Sequence, residues 1–130
     1  MNITKLTLQA GIDKQSVTKF INAAYAAINN VIAALSAKTI TAQAATAYTL
    51  ALSDAGNVVL NSNAAATTVT VPPNSSVAFP VGTIIDIWST GAGGVTVAAG
   101  AGVTVGGTLT VGANTRKQLL QTAANTWVLA

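Results

Sequence analysis

Side chains that can move protons or hold metals are scarce in this sequence. It has no histidine, no cysteine and no glutamate, and its acids are Asp13, Asp54 and Asp86. General acid–base catalysis needs two titratable groups brought together. Asp54 and Asp86 are the only candidate pair in the β-rich part of the chain. Asp54 sits in an Asp-Ala-Gly turn, where a carboxylate commonly bonds the local backbone. Asp86 alternates with Ile85 and Ile87, which assigns it to the polar face of its strand. A serine nucleophile has no histidine to activate it. Clustered metal donors are missing too. The run Gly91-Ala92-Gly93-Gly94 lacks the Lys-Ser/Thr of a phosphate-binding loop and precedes no helix, so it reads as turns and bulges. These residues imply a protein that is not an enzyme and carries no cofactor or metal.

Two tryptophans remain as candidate binding residues. Trp88 and Trp127 each close a strand-like run. They fit packing in a core or between subunits, or stacking on the ring of a host surface glycan. The charge of +3 lies in the N-terminal third, where Lys5, Lys14, Lys19 and Lys38 face only Asp13. No arginine or aromatic cluster accompanies these lysines, so nucleic-acid binding is not expected. Charged residues are only 7% of the chain and mean hydropathy is +0.55. A chain so poor in charge must bury apolar surface in a core, a partner or a membrane. The longest apolar region, from Ile21 to Leu35, is broken by Asn22, Asn29 and Asn30, which argues against membrane insertion. Without cysteine there are no disulfides, and partner subunits become the expected source of added stability.

The chain divides by pattern into two parts. Residues 1–39 read as an arm and a helix, and residues 40–130 as a β domain. Residues 2–10 alternate loosely, with Leu6, Leu8 and Ala10 on one side, as either a frayed terminus or a docking strand. Asp13 is the expected N-cap, and Ile12 and Val17 occupy the positions of a hydrophobic staple. The helix then runs to about Ala37. Val17, Ile21, Ala24, Ile28, Val31 and Leu35 recur at heptad spacing, with Ile21, Ile28 and Leu35 at a and the others at d. Phe20, Ala27 and Ala34 widen the stripe at g, and Tyr25 and Ile32 at e. No e or g position is charged. A stripe this wide suits three or more helices, or a helix lying on another surface, which includes its own β domain.

Beyond the joint at residues 38–46, short strands alternate with turn signals. They are expected at 48–52, 58–61, 67–71, 83–88, 95–98, 103–105, 109–111, 118–122 and 127–129. So many short strands predict a mainly β protein with an N-terminal α-helix, its β part a small antiparallel sandwich or barrel. Val-Thr-Val recurs at 69–71, 95–97 and 103–105, with Leu-Thr-Val at 109–111. The irregular spacing leaves a β-solenoid as the less favoured alternative.

The β part resembles a module of bacteriophage virion structural proteins, among them tail fibres, adsorption proteins and head fibres. The resemblance covers about residues 45–130. It rests on an ordered set: Tyr48-Thr49-Leu50, Asp54-Ala55-Gly56, Asn61-Ser62, Val69-Thr70-Val71-Pro72, Phe79-Pro80-Val81-Gly82-Thr83, Gly91-Ala92-Gly93, Val95-Thr96-Val97, Gly100-Ala101-Gly102 and Trp127-Val128-Leu129. It implies a homotrimeric virion protein without catalytic activity. Its partners would be its own copies and other virion proteins such as the major capsid protein. The module makes up the bulk of a chain starting at a methionine. That favours a capsid decoration or head-fibre subunit on the capsid surface over a glycan-recognising tail fibre.

Overall fold

The computed structural model describes residue 11 and residues 13–130. The expected arm at 2–10 and the Ile12 half of the staple lie outside the described residues. The chain forms two compact units, Met1–Ala37 and Lys38–Ala130.

In the first unit, helix α1 spans Lys14–Ser36. Its start is set by Asp13, whose Oδ1 accepts from the Ser16 N–H at 2.7 Å. The Ser16 hydroxyl donates to Oδ2 at 2.8 Å. These Ser16 bonds hold the Asp13 carboxyl below its ordinary pKa, because they favour the charged form. The helix ends at Ala37, which turns extended and donates to the Ala33 carbonyl at 3.0 Å. The β-branched run Thr39-Ile40-Thr41 follows, a sequence better suited to a strand.

The second unit holds ten strands. They are β1 (Ile40–Gln43), β2 (Ala47–Thr49), β3 (Val58–Asn61), β4 (Thr67–Val71) and β5 (Ile84–Ser89), then β6 (Val95–Ala99), β7 (Thr104–Gly107), β8 (Thr110–Val111), β9 (Thr115–Ala123) and β10 (Thr126–Leu129). They form a six-stranded sheet ordered β1-β3-β5-β9-β10-β7 and a four-stranded sheet ordered β2-β4-β6-β8. From Ile40 to Ala99 the chain winds in successive turns, each laying one strand in each sheet. Thus β1, β3 and β5 run parallel in one sheet and β2, β4 and β6 run parallel in the other. Strands β8, β9 and β10 then add antiparallel pairings, and β7 closes on β10 in parallel.

The expectation of an antiparallel domain is therefore corrected. Parallel pairings outnumber antiparallel ones, and the solenoid alternative better describes Ile40–Ala99. Parallel neighbours normally need a long crossover. Here the strand in the opposite sheet serves as that crossover. Successive turns differ in length, and this hid the repeat: Ile40, Val58 and Asp86 stand side by side at unequal sequence intervals.

One core lies between the sheets. Val59, Ile85, Ile87, Leu119, Trp127 and Leu129 enter it from the larger sheet. The Val-Thr-Val rhythm supplies much of the other side, since Val69, Val71, Val95, Val97 and Val111 are buried while Thr68, Thr96 and Thr110 face out. Phe79 closes one end, carried by the proline-bearing link between β4 and β5. That link is tied down at two points: Asn74 N–H donates to Asn125 Oδ1 at 2.7 Å, and Gly82 N–H donates to the Gln121 carbonyl at 2.9 Å. The buried Gln121 side-chain amide lies 2.9 and 3.0 Å from the Pro80 and Phe79 carbonyls, and with its nitrogen turned towards them it donates to both.

The glycine run at 91–94 has a steric reason. A Cβ on Gly91 would lie 1.9 Å from the Asn63 carbonyl oxygen, and one on Gly93 would lie 2.1 Å from the Ala65 backbone. The link after β5 stacks directly on the link after β3, as their strands do. Thr90 N–H donates to the Asn61 carbonyl at 2.8 Å across that contact.

Candidate functional site

Asp54 closes a single 3₁₀ turn, Leu52–Asp54, and is fully buried. Its Oδ2 accepts from the Tyr48 hydroxyl and from the Ala51 N–H, both at 2.8 Å. Its Oδ1 accepts from the Thr41 hydroxyl at 3.1 Å. Three segments thereby share one carboxylate. Burial and the Asp54 charge push the Tyr48 hydroxyl up to about 12, because both disfavour a second anion. These bonds occupy Asp54 in joining the first turn of the coil.

Asp86 lies elsewhere. It projects from the opposite side of β5 to Ile85 and Ile87, as the alternation requires, but it is buried, so its assignment to a polar face is corrected. Its ladder neighbours are Val58 and Gln118, and Ile84 and Trp88 flank it along the strand. Its Oδ2 pairs with Lys38. Burial pushes this carboxyl up, but the Lys38 ammonium and the Gln118 side chain outweigh it, and the group is held below its ordinary value. Asp54 bonds a threonine on the inner face of the sheet, whereas Asp86 sits on the outer face. The structure does not bring the two acids together, and each has its own partners. Among the described residues, no group of three or more acidic or metal-ligating side chains gathers.

The tryptophans separate as clearly. Trp127 is 1% exposed and meets Phe79 edge to face, with ring centroids 5.3 Å apart. Its ring is enclosed, and the expectation that it could stack on a sugar is corrected: β10 turns Trp127 and Leu129 together into the core. Trp88 is 40% exposed on the outer face of β5, between Leu60 and Arg116 of the neighbouring strands.

The heptad positions form one stripe along α1. No residue of the helix is buried. Ile21, Ile28, Val31 and Leu35 are exposed, Leu35 by 81%, and so are the flanking Phe20, Tyr25 and Ile32. Ala24 is exposed as well, and Val17 is half-buried. No helix among the described residues is long and apolar enough to cross a membrane.

One feature was not anticipated from the sequence. Ile40, Ile84, Trp88, Leu120 and Val128 are all exposed and all lie on the outer face of the six-stranded sheet. The available signal was Ile84-Ile85-Asp86-Ile87-Trp88, which is apolar at both parities of the strand. That is the pattern of a strand covered on both sides.

In comparisons with known proteins, the chain matches no family model, no curated protein and no solved structure.

Proposed function

We propose that this protein is a non-enzymatic structural subunit of a bacteriophage virion, a homotrimeric capsid decoration or head-fibre protein. The N-terminal segment anchors it to the major capsid protein and joins the copies, and the β unit projects as a small two-sheet sandwich. The carrying observation is the exposed heptad stripe of α1. A helix draws most of its stability from burying an apolar face, and this one has exposed isoleucine or leucine at three successive a positions, Ile21, Ile28 and Leu35. Uncharged e and g positions and flanking aromatics make the stripe wider than a two-helix seam, which favours three copies. A sandwich is favoured over a barrel because the two sheets share no strand.

Native mass spectrometry tests the assembly, with a trimer expected. A stable monomer at micromolar concentration refutes it. Deleting residues 1–37 should abolish binding to particles that lack the protein, and undiminished binding would refute the anchor.

The exposure of Trp88 supports a second reading, a receptor-binding tail-fibre protein that takes a host surface glycan on that ring. Glycan-array binding that disappears in a folded Trp88→Ala trimer would favour it. Absence of binding to host cells would refute it.

A further inference from the structure

We infer that the outer face of the six-stranded sheet is an interface between copies of this chain, so that subunits join through their sheets as well as their helices. The inference rests on the proposal that the chain assembles through α1.

The composition of the face fits a protein partner. Ile40, Ile84, Trp88, Leu120 and Val128 make up most of the large exposed apolar residues of the β unit. The acid among them, Asp86, is already paired with Lys38. Interface centres are depleted of charge, and an unpaired acid there costs heavily. The pair neutralises the centre within each subunit before any docking. Glycan sites need exposed polar groups beside the aromatic platform. Here the ladder neighbours of Trp88 are Leu60 and the exposed Arg116. The Asp86 carboxylate is enclosed, its Oδ2 on Lys38 and its Oδ1 without a hydrogen-bond partner among the described residues, so no exposed carboxylate stands beside the ring.

The size of the face sets what else the interface needs. Six strands about 4.8 Å apart span roughly 24 Å, and outward rows about 7 Å apart add roughly 20 Å with their side chains, giving about 500 Å² per copy. Three such faces meeting about a three-fold axis bury about 1,500 Å² in all, about 500 Å² for each pair of copies, which is below the roughly 1,000 Å² of a specific interface that stands alone. The face needs a second contact to help it, and chain connectivity supplies one. Between α1 and β1 stand only Ala37, Lys38 and Thr39. Three residues reach about 10 Å, and packed helices lie about 8–10 Å apart. Helices that assemble therefore hold the β1 strands of different copies close together, at an effective concentration in the millimolar range. A face of modest area then suffices. A different protein would gain no such advantage.

The test exploits the absence of cysteine from the sequence. Single-cysteine variants of the full chain, Ile84→Cys and Leu120→Cys, report on the face. Thr96→Cys, exposed on the outer side of the other sheet, is the control. Thiol alkylation rates are compared after native mass spectrometry on each variant. The expected result is a trimer in which the two face cysteines react about tenfold or more slowly than the control, because a closed interface excludes water and reagent. A trimer in which all three react alike overturns this inference and leaves the helix assembly standing. A monomeric parent chain overturns both. Protection that appears only on adding host surface glycans overturns the inference in favour of a sugar site.

Discussion

Replacing Trp127 by alanine distinguishes a packing role from a binding role. A buried indole removes about 150–250 Å² from water, an upper bound of about 4–6 kcal/mol at about 25 cal/mol per Å². Trp127 is fully enclosed and contacts Phe79 edge to face, so its loss also removes an aromatic pair worth about 1 kcal/mol. Large-to-small core replacements of this kind cost about 3–5 kcal/mol, and we expect about 4 for Trp127→Ala. That is a large share of the roughly 5–15 kcal/mol that stabilises a domain. The assay is urea unfolding followed by the far-ultraviolet circular dichroism of the sheets. Parent and variant are held at one protein concentration, because the proposed assembly would make stability concentration-dependent. With a slope near 2 kcal/mol per molar urea, the midpoint should fall by about 2 M. Trp88→Ala, at a position 40% exposed, should cost the subunit about 1 kcal/mol or less. A Trp127→Ala midpoint within about 0.5 M of the parent would refute the core assignment.

Gly93→Ala should destabilise by about 2–3 kcal/mol or prevent folding, because its Cβ would sit 2.1 Å from the Ala65 backbone. Gly102→Ala, at φ +73 with nothing within 4 Å, should cost only about 1 kcal/mol, and urea midpoints order the two. Tyr48 has a folded pKa near 12 against an ordinary 10.0. Its contribution to stability is therefore complete below pH 10 and lost as pH rises towards 12, and ultraviolet titration of a Tyr25→Phe chain should show one tyrosine ionising with unfolding. Asp86 has the opposite sign: its folded pKa lies below the ordinary 3.8, so its stabilisation is present above that pH and lost as pH falls through the lowered value. Lys38→Met leaves burial opposed only by Gln118 and Arg116, so the carboxyl pKa rises and the acid-unfolding midpoint should move to higher pH; an unchanged midpoint would refute the pairing.

What the sequence made legible was local. Asp13 and Ala37 bound α1 because capping depends on a few neighbouring residues. Strands β3 and β4 fall at their expected limits because Gly56, Asn57, Pro72 and Pro73 punctuate them. Strand β1 was missed. Ile40-Thr41-Ala42-Gln43 is too short and weakly alternating to stand out, and it forms only by parallel pairing on β3. Parallel and antiparallel strands share the same period of two, so alternation could not choose between them. What separates them is which distant strand lies alongside, a tertiary fact.

The same limit explains both residues whose surroundings were misjudged. Alternation places Asp86 opposite Ile85 and Ile87, which is correct, but it does not say what covers that side. Trp127 shares the parity of Leu129, but parity does not say that Phe79 and the rest of the core enclose its ring. Strand β5 carries the remaining step. Ile85 and Ile87 meet the core of their own subunit, while Ile84 and Trp88, equally apolar, face outward beside an acid already neutralised by Lys38. A strand built for burial on both faces, with one face covered by its own chain, makes an outside partner for the second face the economical expectation. A chain whose helix holds an exposed heptad stripe three residues before that sheet begins has the means to supply the partner from its own copies.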